Sequence, residues 1–272
     1  MQVEHSVDLS KKTSFGIGCV IPTVCYPRTA TEVVWCKRLY PDAPVIGSGT
    51  KVLINDRAVI LTVIDMSQFS QKISIKNDKV TVHSGMKTHQ LVEYLASINY
   101  SGLEFLYGIP GLVGGAVAMN AGAVGRSISE CIESVKVIDG KGKLKILHKD
   151  LFEDELKFDR RYSILQDTKD IVVSTTFKLF KDIRATIEEK IDFYRIRRKD
   201  LPKGKSAGGI FINHHVLRNY KLDGLKCGDA YLEGNFIVNK GNATAQDVLT
   251  LIKVIKSSVK EELQLEVRLI GF

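Results

Sequence analysis

A chain of 272 residues with 44% hydrophobic and 26% charged side chains has the balance of an ordinary folded cytosolic protein and is long enough for two or three compact lobes. Its longest apolar run, residues 58–64, is far too short to cross a bilayer, and the N-terminal MQVEHSVDLSKK lacks the apolar core of a secretory signal, so the expected compartment is cytoplasmic, with no membrane partner. The net charge of +8 suits an anionic partner, but no aromatic-interleaved basic motif or zinc-finger spacing accompanies it; a solvated basic face around Arg195, Arg197, Arg198, Lys199, Lys203 and Lys205 is the better reading, and nucleic acid the weaker alternative.

In chain order, residues 20–66 read as short strands around one helix. Residues 31–39 (TEVVWCKRL) have helical apolar spacing with a threonine cap, and VIGS and AVILTVIDM are runs of strand length. A second segment, about residues 73–180, alternates in KISIKNDKVTVHSG, SVKVIDGKGKLKIL and IVVSTTFKLF, with DGKG as a hairpin turn and a helix at residues 87–98. The third segment opens with a polar helix at residues 181–198, passes through LPKGKSAGG, and has a second helix whose start is marked by ATAQD at residues 243–247. The final LQLEVRLIG alternates like a half-buried strand. The expected domains are therefore residues 1–67, 68–181 and 182–272. Strands and helices mix without a regular βαβ period, so the fold class is α+β, and no GxGxxG follows an early strand to suggest a Rossmann site.

Five scattered cysteines, Cys19, Cys25, Cys36, Cys131 and Cys227, include no CxxC pair; buried free thiols are expected. Six histidines include the adjacent His214-His215 but no HExxH, so no metal is expected.

Two glycine-rich stretches carry the chemical signal. The first, Gly47-Ser48-Gly49-Thr50-Lys51 directly after a strand, could aim several backbone N–H groups and two hydroxyls at a pyrophosphate; taken alone, a strand-to-strand turn explains it equally well. The second runs over residues 108–123 and contains Gly108, Gly111, Gly114, Gly115, Asn120 and Gly122. An apolar backbone nearly free of side-chain bulk over such a length fits the close approach of a large planar ligand better than a structural loop.

The blocks GSGTKVLIND, GLEFLYGIPGLVGGAVAMNAGAVG, RRYS, SAGGIFIN, GNFIVNKGNATAQDV and LEVRLIG occur in the order found in the UDP-N-acetylenolpyruvoylglucosamine reductases, and the resemblance covers residues 13–271. It implies a two-lobed FAD-binding fold of the vanillyl-alcohol-oxidase type with a third, substrate-binding lobe. It also implies a flavin reduced by NADPH, a UDP-sugar as the small-molecule substrate, and reduction of its enolpyruvyl group to UDP-N-acetylmuramate for peptidoglycan. By position, Arg161 matches the arginine that holds the substrate carboxylate, Glu266 the catalytic glutamate and Asn213 a substrate-contacting asparagine. Without the resemblance these three read as a surface ion-pair residue, an exposed strand carboxylate and a turn cap. The resemblance also places both glycine stretches at FAD.

Three positions depart from the family pattern. Gly209 stands where the proton-donating serine is expected, Ile212 where a lysine is expected, and Glu233 where a histidine is expected. They leave open a divergent paralogue acting on another small molecule, or a flavin-binding protein without this turnover.

Overall fold

Alternating residues between positions 73 and 178 fold into the main sheet, in a computed structural model that describes residues 1–149 and 154–272. Its five antiparallel strands lie in the order Leu144–His148, Ile132–Ile138, Ile171–Lys178, Lys79–His83, Ile73–Lys76. Two tight turns set the register. Asn77 and Asp78, at φ 48° and 59°, adopt the left-handed conformations that a two-residue hairpin requires. Asp139 shapes the DGKG turn by accepting from the backbone N–H of Lys141 and Lys143, each at 2.9 Å.

The protein divides into two compact units, each assembled from separated segments. The first comprises Met1–Val3, Cys25–Gly47 and Val63–Asp200; the second comprises Glu4–Val24, Ser48–Thr62 and Leu201–Phe272. Pattern along the chain separates three consecutive segments but does not reveal which distant segments pair.

In the first unit, helix α1 (Ala30–Leu39) contributes Val33 and Cys36 to a core with Ile138, Ile171 and Val173 of the sheet. Consecutive strand residues face opposite ways, so Val172 joins a second core. That core takes in Val80, Val82, Val135, Val137 and Phe177, with Leu91, Val92 and Leu95 from helix α2 (Thr88–Ser97) and Val113, Ala116 and Val117 from helix α3 (Val113–Ala118). Helix α4 (Arg184–Arg197) also belongs to this unit. Four of the five cysteines are buried and all are free; burial pushes the Cys36 thiol up to about 12 and Cys131 up to about 11, which makes them poor nucleophiles.

In the second unit, an antiparallel meander of Lys226–Cys227, Ala230–Glu233 and Phe236–Asn239 packs against helix α5 (Ala245–Ser257). Val248, Leu251, Ile252 and Ile255 form the apolar stripe of that helix and share a core with Phe15, Ile17, Leu53, Ile210 and Phe211. A short parallel pair joins Arg268–Ile270 to Val52–Ile54. No helix among the described residues is long and apolar enough to cross a membrane.

Several boundaries differ from expectation, each for a physical reason. The cap of α1 is Thr29, whose hydroxyl accepts from Glu32 N–H at 3.3 Å, and Thr31 lies inside the helix. The run at residues 58–66 yields only the strand Thr62–Asp65; Val59 is 92% exposed, so an apolar side chain there has no surface to pack against. The final alternating stretch is regular strand only over Arg268–Ile270.

The start of α5 is a reciprocal capping box: the Thr244 hydroxyl accepts from Asp247 N–H at 3.1 Å, and the Asp247 carboxylate accepts from Thr244 N–H at 2.9 Å. Thr244→Ala is expected to lower stability by about 1 kcal/mol, read as a lower thermal midpoint. The backbone N–H and hydroxyl of Thr244 hold the Asp247 carboxyl below its ordinary value of 3.8. Its contribution is therefore present above that value and lost as the pH falls through the lower folded value. Thermal midpoints of wild type and Asp247→Ala should converge under strong acid; a constant gap across the range would contradict the assignment.

Candidate active site

The second glycine-rich stretch is not a continuous loop. Val113, Ala116 and Val117 recur at helical spacing and are buried, which winds residues 113–118 into α3 and directs Gly114, Gly115 and Ala118 to the less buried side. Gly114 lies tight on the end of the strand Lys79–His83: its N–H donates to the Ser84 carbonyl at 3.1 Å, and a Cβ there would stand 2.8 Å from Ser84 Cβ. Gly115 is the opposite case, exposed with nothing within 4 Å of where a Cβ would be. Beneath this turn the Ser84 hydroxyl is buried without a hydrogen-bond partner, a group that a bound ligand would satisfy.

Beyond α3 the chain is tied to the Arg161 turn. Asn120, at φ 42° and 3% exposed, donates to the Asp159 carbonyl at 2.7 Å and accepts from Ser129 N–H at 3.2 Å. Asp159 and Tyr162 exchange two backbone bonds of 3.1 Å, closing a turn that places Arg161 at φ 59°. The Arg161 guanidinium donates to the Gly122 carbonyl at 2.6 Å and reaches the Asn120 carbonyl at 3.5 Å, while the Ser163 hydroxyl donates to Ala118 at 2.7 Å. A left-handed arginine in a tight turn is costly backbone, and costly backbone concentrates at functional sites. Arg160 beside it is exposed.

The basic stretch after α4 is not uniformly solvated. Arg195 pairs with Asp192 at 2.9 Å and Arg197 lies 4.8 Å from the centre of the Phe193 ring, both on the surface. Arg198 instead lies over Gly108, where a Cβ would meet its Cδ at 2.9 Å and Nε at 3.0 Å, and burial lowers its guanidinium pKa. A run of like charges gives no sign of which member turns inward.

The first glycine stretch spans the boundary between the units: Gly47 ends a segment of the first and Ser48 begins a segment of the second. Gly49, at φ 63°, is pressed against the Lys12 carbonyl, leaving no room for a side chain. Lys51 turns toward a carboxylate within the second unit. The parallel pairing of Val52–Ile54 with Arg268–Ile270 sets it beside Glu266, with Nζ 2.9 Å from Oε1 and a further bond to the Gly209 carbonyl.

Glu266 is held against the loop at residues 208–211 by its backbone N–H to the Ile210 carbonyl at 2.8 Å, with Val267 buried on the other side. The structure thus brings Glu266 and Gly209 together: a Cβ at Gly209 would lie 3.9 Å from Glu266 Oε2. It would also lie 2.7 Å from Asn235 Nδ2. The Asn235 amide clamps Phe211 from both ends, Oδ1 accepting from its N–H at 3.0 Å and Nδ2 donating to its carbonyl at 2.9 Å. Sequence reasoning passed over Asn235 because its part is to support a neighbouring loop, which spacing does not reveal. Asn213 makes a similar clamp, donating to the Glu262 carbonyl at 2.8 Å and accepting from Gln264 N–H at 3.0 Å. Glu233 is ion-paired to Lys240.

Residues 22–148 match a family described as an FAD binding domain, and residues 198–270 match the C-terminal domain of UDP-N-acetylenolpyruvoylglucosamine reductase. The UDP-N-acetylenolpyruvoylglucosamine reductase of Syntrophomonas wolfei is 33% identical, over 99% of this chain and 95% of its own length. That of Clostridium botulinum is 35% identical, over 97% and 90%. The crystal structure of UDP-N-acetylenolpyruvylglucosamine reductase from Thermus caldophilus is 32% identical and superimposes with a TM-score of 0.84 over 99% of both chains.

Open space at Gly115 and the unsatisfied Ser84 hydroxyl suit an FAD-sized planar ligand on the first unit. Gly115→Val should block FAD uptake, measured by flavin fluorescence on titration, while leaving circular dichroism and the thermal midpoint unchanged. Normal FAD affinity in that variant would place α3 away from the cofactor.

Proposed function

The chain belongs to the UDP-N-acetylenolpyruvoylglucosamine reductase family, and we propose that it reduces the enolpyruvyl ether of UDP-N-acetylglucosamine enolpyruvate to UDP-N-acetylmuramate in the cytoplasm, at the expense of NADPH. The chemistry supplied by bound FAD is the relay of a hydride equivalent from NADPH to the substrate double bond. The residues of the chain bind, orient and manage charge.

As hydride adds to the terminal vinyl carbon, negative charge accumulates on the adjacent carbon and its carboxylate. The Arg161 guanidinium, always ionised and planar, fits the carboxylate as a bidentate partner. Glu266 is the group assigned to manage the proton, and its backbone bond to Ile210 and ion pair with Lys51 support this by holding it in place. What carries this reading is the convergence of Glu266 on the glycine loop at Gly208-Gly209, a grouping that no short-range feature of the chain requires. In this reading the α3 backbone and the glycines at positions 108, 111 and 122 serve the flavin, while Asn213, whose amide is committed to Glu262 and Gln264, shapes the loop beside the substrate.

A related reductase acting on a different small anion is the second reading, favoured by one observation: Ile212 leaves the loop without a cation at that position. Glu233 weighs less, because Lys240 already opposes its charge.

Glu266→Gln should slow reoxidation of the reduced flavin by the enolpyruvyl sugar by about 10²-fold or more, the range for losing one acid or electrostatic donor, and leave reduction by NADPH at the wild-type rate. Stopped-flow absorbance of the two half-reactions separates them. Equal slowing of both would give Glu266 a purely structural role, and wild-type protein that reduces normally yet is never reoxidised by this sugar would favour the second reading.

A further inference from the structure

We propose that Lys51 is the proton donor of the reduction, a catalytic residue delivering a proton from Nζ to the carbon beside the substrate carboxylate. The proposal rests on the functional reading above and adds a residue and a step to it.

The reaction requires such a donor. The hydride equivalent drawn from NADPH forms a C–H bond at the terminal vinyl carbon, and the π electron pair moves onto the neighbouring carbon and its carboxylate. A proton must then form the second C–H bond, or the electron pair returns and the hydride is lost. In the proposed step the Lys51 N–H bond breaks, its proton forms that C–H bond, and the neutral amine regains a proton from water. One hydride and one proton are added across the double bond, and no other reactant is needed.

Four features favour Lys51. It is an ammonium, which carries three donors and no acceptor. It is held in place: Nζ contacts Glu266 Oε1 at 2.9 Å and the Gly209 carbonyl, and its backbone carbonyl accepts from Arg268 N–H at 3.0 Å. It remains reachable, because the Lys51 side chain is 22% exposed and that of Glu266 16%. The loop facing it carries no side chain, since the Cβ that Gly208 lacks would stand 3.6 Å from Nζ.

Position 209 offers no competing donor. It has no side chain, and the space next to its Cα is taken by Asn235 Nδ2, whose clamp on Phe211 would be displaced by a serine. The ammonium of Lys51 therefore stands at Glu266 on the same loop where a hydroxyl is missing.

The test uses the full-length FAD-loaded enzyme with Lys51→Ala and Lys51→Arg. Flavin is reduced with NADPH, mixed with UDP-N-acetylglucosamine enolpyruvate, and reoxidation is followed in stopped flow with and without added methylamine. The proposal expects NADPH reduction at the wild-type rate in both variants. It expects reoxidation slowed by about 10²–10⁴-fold, the value of a positioned acid. Lys51→Arg retains the positive charge opposite Glu266 but cannot give up a proton, so it should be as slow as Lys51→Ala and bind the sugar within about tenfold of wild type by titration of the oxidised enzyme. Methylamine should restore Lys51→Ala in proportion to its concentration and do nothing for Lys51→Arg.

Wild-type reoxidation in Lys51→Arg would overturn the proposal while leaving the functional reading intact. So would a slow Lys51→Ala that no concentration of methylamine rescues, since that pattern marks a structural lysine. If wild type itself is not reoxidised by this sugar, the functional reading fails first and the proposal falls with it.

Discussion

Backbone that lies buried outside helices and sheets must find hydrogen-bond partners, and in this protein asparagine side chains supply them. Asn120, Asn235 and Asn239 each use both ends of the amide on main-chain groups. Asn239 donates to the Phe15 carbonyl at 3.1 Å and accepts from Gly241 and Ala243. A carboxamide suits this work because it carries donor and acceptor on one rigid plane, so one side chain stands in for a residue of a neighbouring strand. Leaving either end unmet in the interior costs about 1–3 kcal/mol. The irregular segments that hold Gly208, Gly209, Gly122 and Arg161 keep their shape through these clamps. Regular ladders would have fixed the same backbone only by closing the space a ligand needs.

Charge follows the same economy of position. Arg161 is anchored through main-chain carbonyls and Arg198 is laid over a glycine. Lys51 and Glu266 are the contrasting case, a half-buried pair of opposite sign in which each fixes the place of the other.

Much of the fold could be read locally. The hairpin at Asp139, helix α2 and the stripe of α5 depend on residues within a few positions of one another, and they lie close to where spacing puts them. Helix α3 does not announce itself in the sequence, because its buried stripe is only Val113, Ala116 and Val117, set among glycines that usually signal a break. The strand at Thr62–Asp65 is shorter than its apolar run because hydrophobicity says nothing of whether a covering surface exists, as Val59 and Leu61 show. For the site, the family resemblance singled out Gly209 and Glu266 separately, one as a missing hydroxyl and the other as a catalytic carboxylate, without bringing them together. The placement of Lys51 beside them depends on a parallel strand pair joining the first fifth of the chain to its end, and no spacing rule reaches that far.

The interleaving of segments bears on how the molecule is made. The second unit draws its core from Phe15 and Ile17, from Leu53, and from residues from Ala207 onward. A nascent chain leaving the ribosome N-terminus first must carry those early apolar residues unpartnered until residues 201–272 have been synthesised. Meanwhile the antiparallel sheet of the first unit, two of whose pairings are short hairpins, has all its strands by residue 178. Biogenesis thus has an order built into the connectivity: the sheet of one unit can close first, and the core of the other waits for its last segment, with the early apolar residues as the natural target for a chaperone in the interval.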